Sequence, residues 1–144
     1  MKLSTRGRYG LKAMVDLALA YGQGVLISTA SLAQQQEISE AYLERIIASL
    51  RKSGLVTATR GAQGGYILSR SPEEISVFDV LNVLEGTTIA DCVSIGRIKC
   101  KNACSCSARP LWLKLQNRIN EVLSVTTLRD MADDYKNQME RTQK

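Results

Sequence analysis

The chain has 144 residues, of which 44% are apolar, but it contains one Phe, one Trp and no His. This length makes one domain the default, and the lack of His excludes the Ser-His and Cys-His dyads of nucleophilic enzymes. No apolar run approaches the ~18 residues of a membrane span, and the N-terminus lacks the pattern of a signal peptide, so we expect a cytoplasmic protein with no membrane partner.

The formal net charge of +5 lies entirely in the first half of the chain. Residues 1–70 hold nine Lys and Arg against four Asp and Glu (9 − 4 = +5), whereas residues 71–144 hold ten of each. A one-sided excess of this kind indicates a polyanionic partner. On charge alone, an ordinary solvated surface is an equal alternative.

Apolar spacing and capping residues predict three helices in the first third of the chain. The first covers "RYGLKAMVDLALAYG" and ends at Gly22 and Gly24. Ser28 is placed to cap a short helix over 29–36, and Ser39 to cap a longer one that ends at Gly54. The buried stripe of that longer helix is predicted to be Leu43, Ile46, Ile47 and Leu50. A short helix, a tight link and a second capped helix are typical of a helix-turn-helix.

A glycine-rich β-hairpin is predicted directly after these helices. "LVTATR" and "YILSR" favour two strands, and "GAQGG" between them favours a turn. Gly61, Gly64 and Gly65 allow positive φ and a close backbone approach to phosphate. Arg60 at the tip is suited to minor-groove or phosphate contact. The hairpin therefore indicates the wing of a winged helix, and a plain exposed hairpin is the alternative.

The second half of the chain is predicted to be mostly helical. A short helix over 77–84 should turn Phe78, Leu81 and Leu84 inward, and Pro110 suits the first turn of a long helix. The long helix has an apolar stripe that suits either ordinary core or the seam of a homodimer. That stripe consists of Leu111, Trp112, Leu115, Ile119, Val122 and Leu123. A short final helix, "TTLRDMADDY", and a polar fraying tail complete the prediction.

The predicted fold class is therefore mainly α with a small β-hairpin, a winged helix-turn-helix plus a long C-terminal dimerisation helix. The expected divisions are a DNA-binding domain over 1–70, a connecting helix within 71–90, and a cysteine-rich cluster-binding loop over 91–108. The dimerisation helix and short final helix follow over 109–135, and the polar tail over 136–144.

All four cysteines, Cys92, Cys100, Cys104 and Cys106, lie within fifteen residues with the spacing C-x7-C-x3-C-x-C. Disulfides are disfavoured in a reducing cytosol, so the thiols are interpreted as ligands or redox groups. Structural zinc sites typically use C-x2-C pairs, which are absent here, and the spacing favours an iron–sulfur cluster over zinc. The nearby Arg97, Lys99, Lys101 and Arg109 would lower thiol pKa values and offset the charge of a cluster. Four unligated reactive thiols are the remaining alternative.

With these motifs in view, the chain resembles the Rrf2 family of winged-helix regulators, and most closely its iron–sulfur-sensing branch with features of its cysteine-metabolism branch. The blocks that carry the resemblance occur in order over nearly all of residues 1–135. They are "MKLSTRGRYGLKAMVDLA", "SEAYLERIIASLRKSGLV", "RGAQGGYIL", "VLNVLEG" and "LWLKLQNRINEVLSVTTLRDM".

The resemblance implies a homodimer that binds double-stranded DNA at a near-palindromic operator, with no small-molecule substrate and no enzymatic activity. The second helix of the helix-turn-helix would enter the major groove, and the wing would contact the minor groove. In cluster-sensing members, the glutamate at the position of Glu44 makes the choice of DNA depend on cluster state. The residues assigned to DNA are Lys2, Ser4, Arg6, Ser39, Ala41, Tyr42, Glu44, Arg51, Arg60, Gly61, Gln63 and Gly64.

The resemblance also implies a ligand set for the cluster. Cys92, Cys100 and Cys106 match the three cysteines of cluster-binding members, but Arg109 occupies the position of a fourth ligand that is His in one branch. The Asp that another branch uses near the N-terminus is also absent. We therefore expect Cys104 to complete an all-cysteine [2Fe–2S] site, and the same ligands would also suit a [4Fe–4S] cluster.

The function predicted from the sequence is a transcriptional regulator, most consistent with a repressor, of iron–sulfur biogenesis or cysteine-metabolism genes. One alternative is a small iron–sulfur electron-transfer protein. Another is a cluster-free repressor controlled by thiol chemistry or by a partner protein.

Overall fold

The computed structural model describes residues 3–86, 88–90, 93, 101–102 and 105–144. Its helices are α1 (Thr5–Ala20), α2 (Thr29–Gln36), α3 (Glu40–Lys52), α4 (Val77–Leu84), α5 (Arg109–Val125) and α6 (Leu128–Thr142). Strands β1 (Val56–Thr59) and β2 (Gly65–Leu68) lie between α3 and α4, and a 3-10 turn (Pro72–Glu74) precedes α4. The predicted fold class, mainly α with one small hairpin, is confirmed.

Serine side chains begin the first three helices. The hydroxyl oxygens of Ser4, Ser28 and Ser39 accept hydrogen bonds from Gly7 N, Ser31 N and Tyr42 N at 3.0, 3.1 and 3.2 Å. Each bond satisfies a backbone donor that the helix itself leaves free. The predicted caps at Ser28 and Ser39 are confirmed.

The hairpin is antiparallel, and Val56 pairs with Leu68 while Thr59 pairs with Gly65. A single bridge adds the chain before α2 to this sheet. Its two bonds run from Tyr66 N to Ile27 O at 2.8 Å and from Ile27 N to Tyr66 O at 3.1 Å. This bridge fixes the hairpin to the body of the domain. The close approach requires glycine at position 65, because a Cβ atom there would lie 2.7 Å from Ile27 O.

The core forms where α1 packs against α2, α3, α4, α6 and β2. Its members are fully or almost fully buried, and burial of each large aliphatic side chain contributes roughly 1.5–3 kcal/mol. They include Met14, Leu17, Leu32, Leu43, Ile46, Ile47, Leu50, Ile75, Val80 and Leu128. The predicted stripe of α3 is therefore confirmed.

Helix α4 has the predicted bounds but a rotated buried face. Ser76 and Asp79 form a capping box, with Ser76 N donating to Asp79 Oδ2 at 2.9 Å and Asp79 N donating to Ser76 Oγ at 3.1 Å. Val77, Val80, Leu81 and Leu84 are buried, whereas Phe78 is only half-buried. Leu81 and Leu84 are buried as predicted, but Val77 and Val80, rather than Phe78, complete the buried face.

The last helix is longer than the sequence pattern indicated. Helix α6 continues to Thr142, so the predicted short final helix and fraying tail at 136–144 are wrong. A second capping box begins it, in which hydrogen bonds from the backbone and hydroxyl of Thr127 lower the pKa of Asp130. No Gly or Pro follows, so nothing in the sequence interrupts the helix.

No helix in the described part of the chain is long and apolar enough to cross a membrane.

One carboxyl group lies partly buried between α1 and α2. Gln36 Nε2 donates to Asp16 Oδ2 at 3.0 Å. Burial raises the pKa of Asp16, and the hydrogen bond from Gln36 and the charge of Lys12 offset part of that effect. Because the folded-state pKa lies above the unfolded value, the contribution of Asp16 to stability is present at acidic pH. It is lost as the pH rises through the folded-state pKa.

We therefore expect Asp16→Asn to raise the melting temperature at pH 7, because the amide keeps the polar contact without a buried charge. The difference from the wild type should shrink at pH 4, where Asp16 is increasingly protonated. Thermal unfolding followed by circular dichroism measures both, with the exposed Asp134→Asn as the control. A lower melting temperature for Asp16→Asn at pH 7 would contradict this account.

Candidate nucleic-acid interface and cysteine segment

The turn between α2 and α3 sets the direction of α3. Glu37 adopts a left-handed conformation with φ 55°, and Ile38 N donates to Ala33 O at 3.1 Å. This closes α2 and allows Ser39 to begin α3 directly. Because a left-handed non-glycine residue is costly, the packing of both helices must impose the turn.

The outward face of α3 carries the residues that the sequence assigned to DNA. Ser39, Ala41, Glu44 and Arg51 are exposed, and in the described part of the chain no ion pair engages Glu44. The face also carries the exposed Glu40 one turn before Glu44. The solvent-exposed carboxylate of Glu44 is available for a base-edge contact.

Tyr42 is half-buried and has a second role in the structure. Its ring meets the ring of Tyr9 edge to face, with centroids 6.3 Å apart and planes at 89°. The ammonium of Lys12 lies 5.5 Å from the centroid of Tyr9. These contacts fix the start of α3 against α1.

At the wing tip, Arg60, Gly61 and Gln63 are exposed. Gly61 has φ 121°, and Gly64 N donates to Gly61 O at 3.0 Å. A Cβ atom at Gly64 would lie 2.2 Å from Thr59 O, so the turn needs glycine there. The backbone of the tip is thereby held in a tight loop beside the Arg60 side chain.

The N-terminal residues are bound within the protein more than the sequence indicated. The guanidinium of Arg6 donates to Ser49 Oγ on α3. Ser4 caps α1, and its backbone N donates to Glu85 Oε1 at 2.6 Å while its hydroxyl donates to the same oxygen. Lys2, the third residue assigned to phosphate contact, lies outside the described residues.

Two residues that matter to this arrangement were missed from the sequence. One is Glu85, whose only signal was its place before Gly86 in "VLEG". The other is Gln116, the one polar residue among the described buried side chains. Gln116 Oε1 accepts from Ile89 N at 2.8 Å and its Nε2 donates to Asn120 Oδ1 at 2.8 Å, which fixes the chain after α4 to α5.

Cys106 is the one cysteine within the described residues, and it is a half-buried free thiol just before α5. Arg109 N donates to Cys106 O at 3.3 Å. Cys92, Cys100 and Cys104 lie outside the described residues, and the described part of the chain contains no group of three metal-ligating side chains. The four-cysteine site therefore remains a prediction.

Helix α5 exposes much of its apolar stripe. Leu111, Leu115 and Val122 are 53%, 36% and 62% exposed, and Val125, which the sequence analysis did not include, is 76% exposed. Ile119 and Leu123 are half-buried. Trp112 and Leu113 instead pack on the buried Val93 with Ile89 and Ala90. Trp112 is thus engaged at least partly within its own chain.

A capped helix pair followed by a basic hairpin defines a winged-helix DNA-binding protein. The chain matches the Rrf2 family, described as iron-dependent transcriptional regulators, over residues 3–134, and it belongs to that family. The resemblance seen in the sequence motifs is confirmed.

Similar proteins of known structure support the same assignment. CymR of Bacillus subtilis is 41% identical over 132 residues, which are 92% of this chain and 90% of the relative. Its solved structure, described as that of the global cysteine regulator of B. subtilis, has a TM-score of 0.75 at 40% identity and covers 92% of this chain and 97% of that one. The structure of T. potens IscR also has a TM-score of 0.75, at 44% identity, covering 94% of this chain and 88% of that one. The chain is therefore a DNA-binding transcriptional regulator and not an enzyme.

Proposed function

We propose that this regulator is a homodimeric repressor that binds a near-palindromic operator and responds to the loading of an iron–sulfur cluster. Its target genes would serve iron–sulfur biogenesis or cysteine metabolism. The observation that carries the DNA-binding part is the exposed face of α3 beside the glycine-tight wing. Both lie within residues 1–70, which carry the whole net charge of +5.

In this proposal α3 enters the major groove and the wing approaches the minor groove. Ala41 and Glu44 face base edges, while Arg51 and Arg60 supply cationic contacts to phosphate or to a narrow minor groove. Tyr42, whose ring packs against Tyr9, and Ser39, which caps α3, also contact DNA in this proposal. The backbones of Gly61 and Gly64, with the Gln63 side chain, complete the contact at the wing tip.

The exposed stripe of α5 supports a homodimer. Leu111, Leu115, Val122 and Val125 expose large apolar surface to water in the single chain. A second copy packed on this face would remove that surface from water at roughly 25 cal/mol per Å². A two-fold pair of α3 helices would also match two operator half-sites about one DNA turn apart.

The cysteine segment supports the cluster part of the proposal through its chemistry. Four thiolates, from Cys92, Cys100, Cys104 and Cys106, are a complete ligand set for a [2Fe–2S] or a [4Fe–4S] cluster. Cys106 fits this role because its thiol is free and precedes α5, where the positive end of the helix dipole stabilises a thiolate. When bound, a cluster would supply a group whose presence and redox state follow iron and sulfur supply.

The similarity to CymR, named a global cysteine regulator, favours a second candidate. In that candidate the same DNA-binding fold is controlled without a cluster, by thiol chemistry or by a partner protein. The presence of four cysteines within fifteen residues favours the iron–sulfur candidate. Thiols that have basic neighbours and bind no metal would be easily oxidised. Membership of a regulator family disfavours the electron-transfer protein considered from the sequence.

The proposed contact between the wing and DNA is tested by measuring the affinity of Arg60→Ala for a DNA duplex. The duplex is one that the wild-type protein has selected from a random-sequence library. Affinity should fall about equally for all sequences, and the slope of log K against log salt should decrease by about 0.9, because one phosphate contact is lost. Fluorescence anisotropy over a salt series measures both, with Arg141→Ala on α6 as the control. An unchanged slope would contradict a phosphate contact by Arg60.

Glu44→Ala should loosen the choice of sequence without weakening binding, because the carboxylate repels phosphate but reads a cytosine amino group. Discrimination against single base-pair changes should fall by about 1–3 kcal/mol at the position it reads. Competition assays with substituted duplexes measure this, and Glu140→Ala provides the same change of charge outside the helix-turn-helix and wing. A uniform loss of affinity across sequences would refute the assignment.

Val122→Glu should convert the dimer to a monomer, because it buries an unpaired charge in the proposed seam. Light scattering after size exclusion gives the mass, and circular dichroism should show an unchanged monomer fold. Asn117→Glu adds the same charge at an exposed polar position of α5 and should leave the mass unchanged. A wild-type chain that is monomeric at high concentration would overturn the dimer.

Cys104→Ala should abolish or destabilise the cluster, because Arg109 cannot replace the missing ligand. Visible absorption, iron and acid-labile sulfide are measured on protein purified without oxygen, with Ser107→Ala as the control. An unchanged spectrum and iron content in Cys104→Ala would remove Cys104 from the ligand set. A colourless wild type without iron would favour the cluster-free candidate.

A further inference from the structure

The end of α4 is fastened to the start of α1 by one carboxylate. Glu85, the residue after α4, accepts two hydrogen bonds from Ser4 at Oε1, one from the backbone N at 2.6 Å and one from the hydroxyl. The same Ser4 hydroxyl accepts from Gly7 N at 3.0 Å and so caps α1. These bonds join residues 81 positions apart, and hydrogen bonds to a charged acceptor are among the stronger ones in proteins.

Two glycines on α1 lie where this helix meets the end of α4. A Cβ atom at Gly7 would lie 2.1 Å from Glu85 Oε1, and one at Gly10 would lie 2.1 Å from Leu84 Cδ1. Neither glycine has positive φ, so the backbone of α1 does not require them. A side chain at position 7 would therefore displace the Glu85 carboxylate from its place beside Ser4.

The same turn of α1 also contacts α3. The guanidinium of Arg6 donates to Ser49 Oγ, and Ser49 Oγ donates to Arg45 O at 3.3 Å. The first turn of α1 is thus held by α4 on one side and by the proposed recognition helix on the other. A shift of Ser4 would alter the place from which the residues before α1 reach DNA.

We propose that Glu85 is a positioning residue for operator binding, which holds the N-terminal segment (residues 3–8) against α3. The proposal rests on the proposed function, in which α3 contacts DNA, and on the sequence-based expectation that Ser4 and Arg6 lie near phosphate. Glu85 does not touch DNA in this account. Glu85 affects the affinity for DNA by fixing the position of Ser4.

The direction in which removal of the Glu85 side chain changes DNA affinity distinguishes a positioning role from a simple effect of charge. Removing an acidic side chain from a DNA-binding protein should tighten binding if only long-range electrostatics matter. If Glu85 positions the N-terminal segment, its removal should weaken binding instead. Glu140→Ala on α6 gives the pure charge effect for comparison.

Gly7 allows the same contact to be broken from the other side. Gly7→Ala improves the intrinsic helix propensity of α1 but places a methyl group where the Glu85 carboxylate lies. Once Glu85 is alanine, that methyl group has room. The two substitutions should therefore act non-additively, as expected for residues in direct contact.

The test is a double-mutant cycle of Glu85→Ala and Gly7→Ala, read by anisotropy on the selected duplex with reduced, metal-free full-length protein. Each single variant should bind about fivefold more weakly, and the double variant no more weakly than either. Glu85→Gln keeps an acceptor at Oε1 and should bind within about twofold of the wild type. Hydrogen exchange should show reduced protection in the first turn of α1 in both single variants but not in the core of α3.

Wild-type-like or tighter binding by Glu85→Ala, or strictly additive effects, would overturn the positioning role and leave DNA binding intact. A wild-type chain that binds no duplex in either the metal-free or the cluster-loaded form would instead overturn the proposed function. If Glu85→Ala unfolds, Gly7→Ala with a retained melting temperature decides the matter, since its loss of affinity supports the role and unchanged affinity refutes it.

Discussion

The burial of α1 is the constraint on which the rest of the structure depends. This one helix packs against α2, α3, α4, α6 and β2, and its Met14 and Leu17 lie at the centre of the core. In a small domain with few aromatic residues, the close approach of aliphatic side chains must supply most of the stability. Glycine at position 10 allows that approach, because Leu84 fills the space that a side chain would take.

Once α1 is fixed, the position of the proposed DNA-binding surface follows. Tyr9 provides the seat for Tyr42, Arg6 reaches Ser49, and the bridge between Ile27 and Tyr66 holds the hairpin to the same body. The proposed recognition helix and the wing therefore both pack on α1 and the core around it rather than extending from separate loops. Rigid mounting is what a protein needs if base contacts are to discriminate, because sequence readout depends on precise hydrogen-bond geometry.

The C-terminal helices have a different relation to this framework. Helix α6 is secured by Leu128 and Ala132 in the core and by hydrogen bonds between residues 75–77 and 126–128. Helix α5 packs on α4 and, through Gln116 and Trp112, on the residues that follow α4. Its Leu111, Leu115, Val122 and Val125 side chains are exposed to water. This exposed apolar face is the observation on which the proposed dimer rests, and it lies on the helix that directly follows the cysteines.

The sequence alone determined the features that depend on neighbours within one helix or hairpin. Ser28 and Ser39 were recognised as caps, the stripe from Leu43 to Leu50 as buried, and the glycine turn after Thr59 as a wing, because capping, periodicity and turn chemistry are local. The family followed from several such motifs in order. Only the tertiary structure decided the bonds from Ser4 to Glu85 and from Gln116 to Ile89 and the partial burial of Asp16. Those features join residues far apart in the chain, or depend on the packing of one helix against another, and no local pattern of residue types encodes such contacts.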